Sequence, residues 1–240
     1  MCIPGTSVRC SGPIGSDEGR RLFSGLATGM HAVTETVFII DDDHSVRSSL
    51  SRLLRAEGIR NECFESAQAY EDRELHNGVG CILLDINMPG ISGIELQARL
   101  LERGHDLPVV FLTGHGDVSS SVTALKRGAL DYLTKPVDEA DLLRAVRRAL
   151  EVHRGFLAEA RVRDAIRARI DALTPREREV MLLLITGMPN KLVADRLQIA
   201  IKTAKVHRAH VMEKMAVRSV AELVHACHLA GISPGAEFDR

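Results

Sequence analysis

Tryptophan is absent from this 240-residue chain, and aromatic residues make up only 3% of it. The hydrophobic cores must therefore be built from Leu, Val, Ile and Ala. The longest apolar run covers residues 180–185, which is far too short to span a bilayer. These absences predict a globular protein that does not bind membranes.

Cysteine is also scarce, with five residues at Cys2, Cys10, Cys63, Cys81 and Cys227. The number is odd and no C-x-x-C pair occurs, which argues against a disulfide framework and a zinc site. We therefore expect reduced thiols in a cytoplasmic protein.

The net charge of −1 conceals an asymmetry along the chain. Residues 36–138 contain 10 Lys and Arg against 16 Asp and Glu, whereas residues 174–240 contain 10 against 7. An acidic half followed by a mildly basic half is typical of a regulatory domain joined to a nucleic-acid-binding domain. Randomly distributed surface charge is the alternative at this point.

Residues 1–35 are rich in Gly and Ser and lack a sustained period, which predicts a disordered N-terminal leader. The pair Arg20-Arg21 has only a brief, interrupted apolar segment after it, so we do not expect a twin-arginine export signal. Met30 lies just ahead of the first predicted strand and is an alternative translation start.

Short apolar runs alternate with helical patterns from Thr36 onward. The runs predict strands at residues 37–40, 62–64, 81–84, 109–112 and around 132–133. The patterns between them predict helices closed by Gly58, over residues 66–75, from Ser92, from Asp117 to Gly128, and from near Glu139. Five strands alternating with five helices predict an α/β domain with a doubly wound, five-stranded parallel sheet over residues 36–152.

Reactive side chains follow four of these strands. Asp41 and Asp42 follow the first strand, Asp85 the third, Thr113 the fourth, and Lys135 comes just after the fifth. Open α/β sheets bind their ligands at this carboxyl edge, although each residue taken alone could simply cap a turn. Crowded carboxylates need a cation, and oxygen ligands suit Mg²⁺. The set suits phosphoryl transfer to Asp85, with Lys135 and the metal offsetting charge and Thr113 donating a hydrogen bond.

The C-terminal third predicts an all-α domain over residues 173–235. Residues 141–170 fit one long helix, with a helical linker over residues 153–172; a shorter helix followed by a charged tether is the alternative. Thr174, Pro175 and Glu177 form a capping box that starts the next helix. A short helix from Asn190, a tight turn and a longer cationic helix from Lys202 then form a helix-turn-helix.

Two groups of motifs resemble known families. The pair D-D at residues 41–42, D-I-N-M-P-G-I-S-G around Asp85, L-T-G-H-G around Thr113 and L-T-K-P ending at Pro136 resemble the CheY-like receiver domain of two-component response regulators. The segments L-T-P-R-E-R-E-V-M, G-M-P-N-K and T-A-K-V-H-R-A-H-V-M-E-K-M resemble the LuxR/NarL-type effector domain, nearest its FixJ-like branch. Together the motifs cover about residues 36–233.

The receiver resemblance implies that a sensor histidine kinase phosphorylates Asp85. It implies that Mg²⁺ is held by Asp42, Asp85 and the backbone carbonyl of Asn87, with Asp41 acting through water. Lys135 would precede a cis peptide bond. Thr113 and Tyr132 would be the switch residues, and Asn87 and His115 would tune the lifetime of the phosphoryl group.

The resemblance further implies a regulator that is not an enzyme, although it can slowly dephosphorylate itself. Its partners would be the kinase, double-stranded promoter DNA and a second copy, which docks after phosphorylation through the helix from Asp117 and the fifth strand. RNA polymerase is a further candidate partner.

The effector resemblance places DNA contacts around the start of the recognition helix. We expect Lys205 and Val206 to contact bases. The residues expected at phosphates are Asn190, Lys191, Lys202, Thr203, Arg208 and Lys214. The alternative for each Lys is a solvated helix face, and His207 either contacts DNA or packs within the domain. Ala200, Ala204 and Ala209 depart from the family pattern, so operator sequences cannot be transferred from relatives.

Two other functions fit parts of the sequence. A degenerate receiver would give a phosphorylation-independent DNA-binding regulator, which the intact set of acidic, hydroxyl and ammonium residues disfavours. An Mg²⁺-dependent phosphatase with an aspartyl nucleophile typically has a second Asp two residues on, where this chain has Asn87, and lacks a helix-turn-helix.

Overall fold

The computed structural model describes residues 35–74, 76–114 and 128–233. The predicted leader up to residue 34, His115 and most of the predicted helix from Asp117 lie outside the described residues. The expectations that concern them therefore stay predictions.

Five parallel strands form one sheet, as the alternating pattern predicted. They are β1 (Thr36–Ile40), β2 (Arg60–Phe64), β3 (Gly80–Asp85), β4 (Val109–Thr113) and β5 (Asp131–Thr134). Their order in the sheet is β2-β1-β3-β4-β5, so β1 and β3 are neighbours and their carboxyl ends lie side by side.

Both faces of the sheet are covered, because alternate residues of each strand enter different cores. Val37 and Ile39 of β1 pack with side chains of α1 (His44–Ala56), whereas Phe38 and Ile40 pack with those of α2 (Ala67–Glu71) and α3 (Gly93–Glu102). The described part of the sheet is therefore doubly wound.

The helix predicted over residues 66–75 is shorter in the structure, since α2 ends at Glu71. The Gln68 side chain donates to Asp72 just after this end, at 2.8 Å. Arg73 then places its guanidinium 4.6 Å from the ring centroid of Phe38 and 4.1 Å from that of Tyr70. The contact with Phe38, which lies on β1, is tertiary, and helical periodicity in the sequence does not report it.

One helix of 33 residues, α4 (Glu139–Asp171), joins the two halves of the chain, which confirms the continuous-helix interpretation. Its first part contributes side chains such as Leu142 and Leu150 to the core beneath the sheet. Its last part contributes Ile166 and Ile170 to a separate C-terminal core. No helix within the described ranges is long and apolar enough to cross a bilayer.

The C-terminal core is built by four further helices: α5 (Pro175–Ile185), α6 (Asn190–Leu197), α7 (Ile201–Lys214) and α8 (Val220–Leu229). The predicted capping box at the start of α5 is present in both directions, between Thr174 and Glu177. The turn between α6 and α7 passes through Gln198, whose φ of 51° is left-handed. The pair α6–α7 is the predicted helix-turn-helix.

The start of α7 lacks a side-chain cap, because its N-cap residue is Ala200. A serine hydroxyl there can accept a hydrogen bond from a first-turn N–H, so Ala200→Ser should stabilise the C-terminal domain by about 1 kcal/mol. Scanning calorimetry of the full chain measures this change. The matched control is Ala209→Ser on the exposed part of the same helix, where serine should be mildly destabilising. An unchanged melting temperature for Ala200→Ser would refute the capping argument.

Candidate functional site

The carboxyl edge of the sheet brings the predicted residues together. Asp85 ends β3 and Thr113 ends β4, and both are buried, with 4% and 3% of their surface exposed. Asp41 follows β1 and is fully buried, while Asp42 beside it is exposed. Lys135 directly follows β5, and its peptide bond to Pro136 is cis, as the resemblance implied.

One ammonium group links two of the carboxylates. The Lys135 Nζ atom lies 2.7 Å from Asp41 Oδ2 and 3.0 Å from Asp85 Oδ1. The other oxygen of Asp41 accepts a hydrogen bond from the backbone N–H of Asp43 at 2.9 Å. The three side chains that are far apart in sequence therefore form one buried ionic cluster.

The charges in this cluster are unbalanced. Burial raises the pKa of Asp85; the hydrogen bond from Lys135 opposes this rise, and the neighbouring Asp41 and Asp42 add to it. Burial alone would lower the pKa of Lys135, but its hydrogen bonds to Asp41 and Asp85 outweigh burial and raise that pKa overall. Lys135 is therefore a stable cation held by two carboxylates, and Asp42 adds a third negative charge close to them.

The donor set fits a hard divalent cation. Asp41, Asp42 and Asp85 can each offer a carboxylate oxygen, and these oxygens all lie within 4.8 Å of one another. Oxygen-only ligands and excess negative charge suit Mg²⁺. Asn87, whose carbonyl was predicted as a further ligand, is an exposed residue of the loop after β3.

The loop after Asp85 is shaped by close backbone approach. The N–H of Gly93 donates to the carbonyl of Ile86 at 3.0 Å, and Ser92 caps α3 through its hydroxyl. A Cβ atom on Gly93 would lie only 2.1 Å from the carbonyl oxygen of Asp85. In the sequence this glycine is only part of a motif, because the contact depends on the folded loop.

The two predicted switch residues lie on neighbouring strands. The Thr113 hydroxyl donates to the carbonyl of Gly114 at 3.1 Å and so is directed along the chain. Tyr132 is 44% exposed on β5, paired in register with Phe111 of β4. The aromatic ring therefore lies outside the core in this structure.

A second candidate site lies on the helix-turn-helix. At the start of α7 the exposed side chains include Lys202, Thr203, Lys205 and Val206, together with the apolar Ile201. His207 and Arg208 are half-buried, and Lys191 is exposed on α6. An apolar side chain such as Val206, 46% exposed beside two lysines, suits contact with base edges rather than with water.

Two details of this surface favour anionic ligands. The helices α6 and α7 have no side-chain cap, whereas a side-chain oxygen caps each of the other helices of the described chain. Their first N–H groups are therefore available to an acceptor such as a phosphate. Arg208 donates to Asn190 Oδ1 at 3.2 Å, which holds the guanidinium next to the start of α6.

Lys214 has an ion-pair partner within the protein that its neighbours in sequence do not indicate. Its Nζ atom lies 2.6 Å from Glu177 Oε2 and 3.4 Å from the carbonyl of Ala172. The same Glu177 oxygen accepts from the Thr174 N–H at 2.9 Å. Lys214 thus fastens the end of α7 to the start of α5, and its predicted phosphate contact, still untested, would compete with this ion pair.

The Glu177–Lys214 pair makes stability pH-dependent. The hydrogen bond from Lys214, followed by that from the Thr174 N–H, lowers the pKa of Glu177 from 4.5 to about 2. A carboxyl group whose pKa falls on folding stabilises the fold fully above its ordinary pKa, and this contribution is lost as the pH falls from 4.5 to about 2. We expect Glu177→Gln to lower the melting temperature at pH 7, and the difference from wild type to shrink below pH 4. Calorimetry at several pH values tests this, with the exposed Glu179→Gln as control; a constant difference would contradict it.

Comparisons with known proteins identify a family for each half of the chain. The family "Response regulator receiver domain" matches residues 37–147, and "Bacterial regulatory proteins, luxR family" matches residues 171–227. The chain is 43% identical to the transcriptional regulatory protein FixJ of Azorhizobium caulinodans over 82% of its length and 94% of that protein. It is 40% identical to the response regulator protein TmoT of Ectopseudomonas mendocina, over 81% and 89%.

Solved structures show the same similarity. The response regulator StyR is 41% identical, with a TM-score of 0.73 over 81% of this chain and 98% of that one. Full-length FixJ from B. japonicum is 39% identical, with a TM-score of 0.51 over 82% and 97%. The chain therefore belongs to the FixJ-like two-component response regulators, which couple phosphorylation of a receiver domain to transcription regulation through a LuxR-type DNA-binding domain.

Proposed function

We propose that Asp85 is the phosphoacceptor and that a sensor histidine kinase supplies the phosphoryl group. A carboxylate oxygen of Asp85 attacks phosphorus, an O–P bond forms, and the N–P bond of the phosphohistidine breaks with its electron pair returning to the imidazole. The product is an acyl phosphate. The observation that carries this proposal is the ion pairing of Lys135 with both Asp41 and Asp85 at the sheet edge.

The surrounding residues support this step electrostatically. Lys135 is positioned to move its ammonium toward the phosphoryl oxygens as charge develops on them. The Thr113 hydroxyl, which donates a hydrogen bond to the Gly114 carbonyl in this structure, can rotate to donate to one of these oxygens. Asp42, Asp85 and the Asn87 carbonyl, with Asp41 acting through water, would hold Mg²⁺, which would supply further neutralisation of phosphoryl charge. The chain accepts a phosphoryl group and slowly loses it, without turnover of an external substrate.

We propose that phosphorylation promotes homodimerisation and promoter binding. Thr113 would move toward the phosphoryl group and Tyr132 would turn inward, changing the surface near β5 on which a second copy docks. The exposed start of α7 would enter the major groove, with Lys205 and Val206 at bases. Lysines and uncapped helix starts would bind phosphates, and Arg208 with Asn190 would form part of that contact. The protein would act in the cytoplasm, where kinase, promoter DNA and RNA polymerase are accessible.

The deciding experiment combines two measurements on the wild-type chain. A small phosphodonor with Mg²⁺ should produce an acyl phosphate that peptide mapping locates at Asp85, and treatment with the donor should raise affinity for promoter DNA. Absence of the mark would refute the phosphoacceptor assignment. A mark without any change in promoter affinity would instead favour the phosphorylation-independent regulator.

A further inference from the structure

His153 is a buried histidine of α4 that the phosphorylation site does not use. Only 2% of it is exposed. Its Nδ1 atom accepts a hydrogen bond from the backbone N–H of Gly80 at 2.9 Å. An imidazole nitrogen that accepts cannot carry a proton, so the neutral ring must carry its hydrogen on Nε2.

Among the described residues, Asp106 and His76 are the groups whose charge acts on the ring. Nε2 lies 3.4 Å from Asp106 Oδ1 in the segment before β4. His76, in the segment before β3, is near enough to influence the titration of His153. On the side of α4 itself, Arg154 is ion-paired with Glu35, which precedes β1. Phe156 stacks on the imidazole, with ring centroids 6.4 Å apart.

The hydrogen bond between His153 and Gly80 connects two functional parts of the chain. Gly80 is the first residue of β3, and Asp85 is the last residue of the same strand. On α4, His153 is the last buried residue of the receiver half, and the next buried residue, Ile166, belongs to the C-terminal core. The hydrogen bond therefore fastens the helix to the strand of the phosphoacceptor near the end of the part of α4 that packs on the receiver core, where the partly buried Leu157 is a further contact.

We propose that His153 is a positioning residue. Its proton-sensitive hydrogen bond to Gly80, called the fastening below, holds the linker helix to the amino end of β3 and so transmits the effect of phosphorylation to the DNA-binding domain. The transmission rests on the proposed function, whereas the fastening does not. Protonation of Nδ1 removes the only lone pair that Gly80 can use. The attachment of the linker helix to the sheet beyond Leu150 would then be weakened, with Leu157 and the Arg154–Glu35 ion pair as the remaining contacts.

The sign of the pH effect follows from the surroundings. Burial lowers the pKa of His153, and the neighbouring Asp106 only partly opposes this. A histidine whose pKa falls on docking stabilises the docked state above its ordinary pKa of 6.5, and the stabilisation is lost as the pH falls below that value. The hydrogen bond from Gly80 to His153 should therefore be formed at pH 7.5 and weakened at pH 5.5.

Hydrogen exchange at the Gly80 amide measures the fastening directly in the full chain. In the wild type the protection factor should fall by up to about tenfold per pH unit once the ring titrates. His153→Asn places a carboxamide oxygen as many bonds from Cα as Nδ1, so protection should persist at both pH values. His153→Leu has no acceptor and should lose protection at both. The exposed His228→Asn is the matched control and should behave as wild type.

The functional test is the ratio of promoter affinities with and without a phosphoryl mimic such as beryllofluoride. Wild type should show a large ratio at pH 7.5 and a small one at pH 5.5, His153→Asn a large ratio at both, and His153→Leu a small ratio at both. If hydrogen-exchange protection of the Gly80 amide does not change with pH, or is kept in His153→Leu, the proposed fastening by His153 is refuted. Preserved promoter response in His153→Leu overturns its role in transmission. If the promoter affinity of the wild type does not respond to the mimic at any pH, the proposed function is refuted instead, and the hydrogen-exchange data still decide the fastening. If the leucine variant does not fold, the asparagine variant decides both questions.

Discussion

Asp85→Asn should abolish phosphoryl uptake from a small phosphodonor while the protein stays folded. The amide nitrogen and oxygen cannot replace the carboxylate nucleophile, and no other described carboxylate both ends a strand and contacts Lys135 as Asp85 does. The fold should tolerate the change, because burial raises the pKa of Asp85 and its charge is thus unfavourable in the native state. Incorporation of labelled phosphate and a melting curve of the same sample measure both effects.

The matched control is Asp43→Asn, the same chemical change two residues after Asp41. Asp43 is exposed and caps α1 by accepting from the Ser45 N–H, and asparagine is an equally good cap. Uptake should therefore persist in this variant. Residual labelling of Asp85→Asn at the wild-type rate would show that another residue accepts the phosphoryl group.

Gly93→Ala should both slow the phosphorylation of Asp85 and destabilise the receiver domain. The new Cβ would meet the Asp85 carbonyl oxygen at 2.1 Å and the Ile86 Cα at 3.1 Å, and both are backbone atoms that no side-chain rotation can move. Overpacking of this kind costs about 1–3 kcal/mol. Displacement of a reacting group by about 1 Å can slow a reaction by about 100-fold. Calorimetry and the rate of phosphoryl uptake are the two measurements.

Gly155→Ala is the control with the same added methyl group. Gly155 lies within α4, and no heavy atom comes within 4 Å of its ideal Cβ position. Alanine in a helix interior is more stable than glycine by about 0.5–1 kcal/mol. The two substitutions should therefore change the stability of the protein in opposite directions. A Gly93→Ala variant as stable and as reactive as wild type would contradict the loop geometry.

The sequence predicted most of the sheet and the candidate site because both depend on local signals. A strand buried on two faces is a short apolar run, and Asp85, Thr113 and Lys135 are placed by where such runs end. Parallel pairing then brings them to one edge whatever the details of packing. The end of α2 at Glu71 was missed, because Arg73 stacks on Phe38 of β1 as well as on Tyr70 of α2, and the contact with Phe38 forms only in the folded chain.

By itself the chain determined the order of elements, the chemistry at the strand ends and the cationic start of α7, since each is set by neighbours in sequence. Only the tertiary structure decided that Lys214 binds Glu177, that Gly93 must lack a side chain and that His153 accepts from Gly80. Those contacts join residues between 8 and 73 positions apart. A hydrogen bond or a steric limit of a few ångströms exists only after folding has brought such groups together.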